Sequence, residues 1–183
     1  ELIKTANEET ALGEQRLTGE LNRTVNQILA FSQLALSSQW TQPSIDTAIP
    51  DRSPLTKPDI RKMYRPLGPV AVFGASNFPF AFGTLGGDSA SALAAGNTIV
   101  VKGHPSHPKT NFLFAKAISK TLASLSLPQG IFSLLQGNDI GLSISLIEAD
   151  FISAVGFTGS HKAGRAIMDA AAKRTRPIPV FAE

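Results

Sequence analysis

The chain has 183 residues, 43% of them apolar and 17% charged, with 17 Lys and Arg against 14 Asp and Glu and no Cys. A net charge of only +3 on so apolar a chain excludes disorder, and the lack of Cys excludes a disulfide scaffold, thiol catalysis and thiolate metal sites within it. The pI of about 9.4 invites a nucleic-acid reading. However, the basic residues are scattered apart from Lys173, Arg174 and Arg176, and no aromatics interleave with them, so no nucleic-acid partner is expected.

The chain opens on ELIKTANEETALGEQ, which is helical in character and has no signal-peptide pattern. An internal piece of a longer protein is the expectation. Residues 2 to 36 read as helix, with Leu17, Leu21, Val25, Ile28, Leu29, Leu34 and Leu36 at helical spacing and breaks at Gly13 and Gly19. Residues 37 to 66 carry Pro43, Pro50, Pro54, Pro58 and Pro66, and read as an extended connector with Trp40 and Ile45 on a short strand. From residue 67 the pattern is regular: strand 69 to 74, helix Phe80 to Ala95, strand 98 to 102, and a helix opened by Pro108 behind Ser106 or His107 and running to Ser124. Strand 131 to 136, helix 139 to 147, strand 152 to 157, helix 160 to 173 and strand 177 to 182 complete it. This alternation predicts an α/β fold, a Rossmann-like doubly wound parallel sheet with N-terminal helices. Three regions follow: helices over 1–36, the connector over 37–66, and a nucleotide-binding α/β domain over 67–183. No apolar run reaches the roughly 20 residues of a bilayer span, so no membrane span is expected and the location is read as cytoplasmic.

In such sheets ligands collect beyond the carboxyl ends of the strands. Those ends carry Gly74, Ala75, Ser76 and Asn77, then Lys102, Gly103 and His104, then Gln136, Gly137 and Asn138, then Gly156 to Ser160, and finally Glu183. No G-x-G-x-x-G occurs in the first turn. A weaker G-x-x-G-S at Gly156, Gly159 and Ser160 offers a pyrophosphate the hydroxyl and N–H groups of a helix start, although taken alone such a serine is more often a plain N-cap. Lys102 is either a phosphate or ribose partner or a solvated lysine. Asn77, before Phe78-Pro79, is either an oxyanion donor or an Asx-turn residue. Glu183 is either a desolvated base or a strand-end cap. His104 and His107 lack the carboxylate or Cys partners of a metal site, so no metal is expected. Phe78, Phe80 and Phe82 either line an apolar entrance beside Asn77 or pack in the core.

Together these strings resemble the aldehyde dehydrogenase superfamily. The segment RPLGPVAVFGASNFPFAF (65–82) is similar to its Asn-aromatic-Pro signature, AAGNTIVVKGHPSHPKT (94–110) to its cofactor-lysine segment, VGFTGSHKAGRAI (155–167) to its pyrophosphate turn, and PIPVFAE (177–183) to the strand ending in its catalytic glutamate. The branch resembled holds the bacterial 2-oxoglutarate semialdehyde (2,5-dioxovalerate) dehydrogenases and the NADP-linked fatty aldehyde dehydrogenases. The resemblance implies oxidation of an aldehyde or semialdehyde to the acid with NADP or NAD, through a cysteine thiohemiacetal and thioester. Asn77 would steady the oxyanion and Glu183 would activate water. Phe73, Ser76, Lys102, His104, Pro105, Gly137, Phe157, Gly159 and Ser160 would hold the cofactor. Pro105 stands where NAD-preferring members carry an acidic residue, which favours NADP. The nucleophilic Cys domain is missing, so the fragment alone is expected to be inactive, and the full-length protein to be a homodimer or tetramer. The alternative is a non-catalytic nucleotide-binding module or pseudoenzyme fragment.

Overall fold

The computed structural model describes all 183 residues. Helix α1 (Leu2–Thr10) ends at Ala11, and α2 (Glu14–Ser37) starts from Gly13 at φ 88°, a left-handed conformation that glycine adopts without a Cβ penalty. The second expected break does not occur, and α2 runs through Gly19. An interior glycine costs roughly 0.5–1 kcal/mol, and α2 offsets it by burying Leu17 in a core with Ala6, Phe80 and Phe114. In the connector Trp40 lies in a 3-10 turn rather than on a strand. Ile45 does lie on a strand, β1 (Ser44–Asp46), which pairs antiparallel with β2 (Ile60–Lys62) as an exposed ribbon. No helix is long and apolar enough to cross a membrane.

The main sheet is wholly parallel. Strands β3 (Val70–Phe73), β4 (Ile99–Lys102), β5 (Phe132–Leu135), β6 (Ala154–Phe157) and β7 (Val180–Ala182) take the order β5-β4-β3-β6-β7. The chain therefore enters at the centre, winds outward through β4 and β5, then returns beside β3 and winds outward the other way. Alternate residues of each strand face opposite layers. Val70 and Val72 join Ile99, Val101, Leu122 and Phe132 beneath α3 (Gly87–Ala94) and α4 (Pro108–Ser124). Ala71, Phe73, Val155 and Phe157 join Leu146, Ile147 and Ile167 beneath α5 (Ile140–Glu148) and α6 (His161–Lys173). A smaller core of Ala6, Leu17, Phe80 and Phe114 fastens α1 and α2 to the domain.

Helix α3 begins at Gly87, not at Phe80. Residues 79 to 86 wind as successive turns, and the backbones of Gly83 and Gly86 lie so close to those of Pro79 and Ala81 that neither has room for a side chain. Helix α4 starts at Pro108 behind His107, but the His107 side chain makes no cap bond. Glu9 of α1 caps it instead, accepting from Lys109 N at 2.8 Å, Thr110 N at 2.9 Å and Thr110 Oγ1 at 2.7 Å. Arg174, one of the basic residues near the end of the chain, donates internally to the carbonyls of Ile147 and Ile152.

Candidate active site

The outward reversal between β3 and β6 opens a crevice beyond their carboxyl ends. Register places Phe73 directly beside both Lys102 and Phe157, so the loops after β3, β4 and β6 leave the sheet at one level. Two connected openings fill the crevice. A cleft of about 460 Å³ is lined by Phe73, Lys102, His104, Pro105, Phe157 and Ser160 and runs back between α5 and α6. An adjoining space of about 510 Å³ is lined by Ser76, Asn77, Thr158 and Gly159. Gly74, His104, Phe157, Ser160 and Ala163 border both.

Each opening has its own chemistry. One side of the first is apolar, walled by Ile140, Ile144, Ile147, Ala166 and Ile167, and its other side carries Lys102, His104, Ser160 and Lys162. Ser160 caps α6, its Oγ accepting from Ala163 N at 3.3 Å. The preceding first-turn N–H groups point away from the helix, as at any helix start. Lys102 is only 8% exposed and takes part in none of the ion pairs. Its burial lowers its pKa below the ordinary 10.5. The pKa of His104 is lowered too, first by burial and then by the nearby His107 and Lys102.

The loops are tied together beneath the site. The ring of His107, fully buried, stacks on that of His104 at 5.7 Å between centroids. Its Nε2 lies 3.0 Å from the Ala75 carbonyl after β3, and its Nδ1 lies 3.1 Å from Asn111 Oδ1 on α4. Asn111 Nδ2 in turn donates to the His104 carbonyl at 2.9 Å. A Cβ on Gly103 would sit 2.6 Å from that amide, so this crossing needs glycine. Gly159 is confined likewise, because a Cβ there would lie 2.7 Å from Phe157 Cζ.

Gly137 and Glu183 line neither opening. Gly137 adjoins Asn138, which lines the first. Glu183 brackets the β6–α6 turn by backbone, donating from its N–H to the Phe157 carbonyl at 3.0 Å and accepting from Gly159 N at 3.2 Å. On the opposite layer its charge faces Asp88, in the first turn of α3. Burial raises the Asp88 pKa above 3.8, a hydrogen bond from Thr158 Oγ1 at 3.4 Å opposes this, and the charge of Glu183 adds to the rise.

Sequence reading missed Asp88, Lys162, the isoleucine wall of α5 and the part played by α2. One signal was available for α2. Glu20 follows Leu17 by one helical turn, which puts a carboxyl on the apolar stripe, where a solvated residue has no place.

Comparison with known proteins gives these features a context. The sequence profile of the aldehyde dehydrogenase family matches residues 1–181. The chain is 46% identical over 182 residues to alpha-ketoglutaric semialdehyde dehydrogenase 2 of Azospirillum brasilense, covering 100% of this chain and 35% of that protein. It is 44% identical over 182 residues to alpha-ketoglutaric semialdehyde dehydrogenase of Acinetobacter baylyi, covering 100% of this chain and 34% of that protein. The chain thus spans about a third of the length of these relatives. Among solved structures, a betaine aldehyde dehydrogenase of Staphylococcus aureus in complex with NAD+ superposes with a TM-score of 0.76 at 21% identity, covering 100% of this chain and 33% of that one. A NAD-dependent benzaldehyde dehydrogenase of Corynebacterium glutamicum superposes at 0.73 and 19% identity, covering 100% of this chain and 37% of that one. At such identities these superpositions show a shared fold.

Proposed function

The chain belongs to the aldehyde dehydrogenase family, and we propose that it is the nucleotide-binding part of an NAD(P)-dependent dehydrogenase that oxidises 2-oxoglutarate semialdehyde to the dicarboxylic acid. The observation that carries this reading is the convergence of an apolar slot, a buried lysine and a capped helix start in one cleft, with Asn77 in the space next to it. A dinucleotide has parts of matching kinds. The isoleucine wall between α5 and α6 suits a flat adenine ring, Lys102 and His104 suit the ribose and its substituents, and Ser160 with the start of α6 suits a pyrophosphate. Pro105, third after Lys102, presents no carboxylate to repel a 2′-phosphate, while Lys102 and Lys162 are cationic, which favours NADP+ over NAD+.

When bound, NAD(P)+ supplies the acceptor for the aldehyde hydride. The residues of this chain act around that transfer. The Asn77 carboxamide donates an N–H to the carbonyl oxygen as it gains negative charge, an interaction strongest in the transition state. Glu183, fixed by its backbone to the turn that holds Gly159, removes a proton from the water that releases the acid. The nucleophile belongs to sequence this Cys-free chain does not contain. The semialdehyde substrate rests on the two relatives of that activity, which match the whole chain.

The test is a steady-state panel on the complete gene product. The 2-oxoglutarate semialdehyde, a fatty aldehyde and benzaldehyde are each assayed with NADP+ and NAD+. The expected result is the highest kcat/KM for the semialdehyde with NADP+. No turnover of any aldehyde would overturn the reading. A preference for the fatty aldehyde or for NAD+ would overturn its finer parts.

A further inference from the structure

The exposed-looking turn that carries Asn77 is gripped along its length by one face of α2. Arg16, Glu20 and Arg23 are spaced four and three residues apart, which stacks them on a single helical face. Arg16 Nη2 donates to the Asn77 carbonyl at 2.6 Å, and its guanidinium lies 4.9 Å from the centre of the Phe78 ring. Glu20 Oε1 accepts from both Phe80 N at 2.8 Å and Ala81 N at 2.9 Å. Arg23 lies 5.2 Å from the centre of the Phe82 ring, which itself packs edge-on against Phe78. The base of the turn is closed by Ala75 N donating to the Phe82 carbonyl at 2.8 Å. Five of the six residues from Asn77 to Phe82 are therefore held by α2, Pro79 being the exception.

Glu20 is 6% exposed, and its Oε2 has no hydrogen-bond partner. Burying a carboxyl with one oxygen unsatisfied is costly. An apolar residue would serve packing alone, so the position is explained by what Oε1 does. Residues 79 to 86 are not helical, and without an acceptor the two N–H groups would be stranded beneath the turn. Arg16 is exposed and adds little burial, so its bond to the Asn77 carbonyl acts on the turn itself.

We infer that Glu20 and Arg16 are positioning residues for the Asn77 carboxamide, setting the height and angle at which it meets the oxyanion. This rests on the oxyanion role proposed above for Asn77. The complete gene product is compared with Glu20→Leu, Glu20→Gln and Arg16→Gln, each made in the native and the Asn77→Ala backgrounds. Loss of an oxyanion donor alone lowers kcat by roughly 10²–10³ and leaves a measurable rate. The expected results for Glu20→Leu are a kcat about tenfold lower or worse, with nucleotide Kd unchanged, and no further fall once Asn77 is Ala. Glu20→Gln, which keeps an acceptor oxygen for both N–H groups, should restore kcat. The inference is overturned if Glu20→Leu retains full kcat, or if it lowers kcat by the same factor in both backgrounds. Should Glu20→Leu fail to fold, Arg16→Gln decides. A lower kcat at unchanged Tm, abolished by Asn77→Ala, supports the inference, and an unchanged kcat overturns it. A native protein that turns over no aldehyde would overturn the functional reading and the inference together.

Discussion

Replacing Gly159 by Ala adds one methyl to the turn between β6 and α6, and the structure says what that methyl meets. Its carbon would lie 2.7 Å from Phe157 Cζ and 3.2 Å from Cε2. Ordinary carbon contacts begin near 3.4 Å, so the ring or the turn must give by about 0.7 Å. The ring's retreat is bounded on its other edge by Gly164, where even an added Cβ would lie 3.2 Å from Cε1. The turn is pinned as well, since Gly159 N donates to the Glu183 carbonyl at 3.2 Å. Overpacking of this kind costs about 1–3 kcal/mol. Displacing the turn also moves Ser160 and the helix start away from the proposed pyrophosphate position, which should weaken nucleotide binding by about tenfold or more. Urea denaturation and calorimetric titration of NADP+ on the complete gene product measure the two effects. Gly19→Ala is the matched control, because nothing lies within 4 Å of its would-be Cβ and it sits inside α2, so it should gain about 0.5–1 kcal/mol. If Gly159→Ala kept both native stability and native affinity, the argument that this turn is sterically set to hold an anion would fail.

Three further outcomes follow from the geometry. Glu9→Ala removes the three hydrogen bonds capping α4 from α1 and should cost about 1–2 kcal/mol in denaturation. A loss under a few tenths would mean the cap is not formed in solution. Asp88→Asn tests the half-buried carboxyl facing Thr158 and Glu183. Because the folded pKa of Asp88 is raised, its contribution to stability is complete below pH 3.8 and is lost as pH rises through the folded value. The variant should therefore be more stable than native protein at pH 7.5 and equal to it at pH 3.5, and the opposite ordering of denaturation midpoints would refute the assigned shift. For Lys102, burial lowers the pKa below 10.5, so the ammonium loses its charge at less alkaline pH than an exposed lysine. NADP+ affinity should fall as pH rises through that lowered value, while Lys102→Arg should hold its affinity over the same range. Parallel profiles would separate Lys102 from the phosphate.

The doubly wound sheet was legible because its signals are local. Each strand is a short apolar run, Pro108 marks the start of α4 to the residue, and Ser160 marks the cap of α6. The candidate site was legible where it lies at strand ends, since Lys102 is the last paired residue of β4, and Asn77 and Ser160 lie in the loops that follow the last paired residues of β3 and β6. The rest depends on groups far apart in the chain. Glu9 reaches α4 across 100 residues and Glu20 reaches the Asn77 turn across 60, and no spacing rule encodes such a contact. The start of α3 was misplaced for a related reason. The Ala-rich stretch after Phe80 favours helix, but Gly83 and Gly86 allow tight backbone approaches, and Glu20 takes the N–H groups of Phe80 and Ala81. Gly19 misled in the other direction, because the packing of Leu17 carries α2 through a residue that weakens an isolated helix.

The most direct test of the proposed nucleotide cleft is calorimetric titration of NADP+ into the complete gene product and its Lys102→Met and Asn77→Ala variants. The account predicts a Kd about tenfold higher or more for Lys102→Met, from the lost charge-assisted bond, and a Kd close to native for Asn77→Ala. Native affinity in Lys102→Met would contradict it.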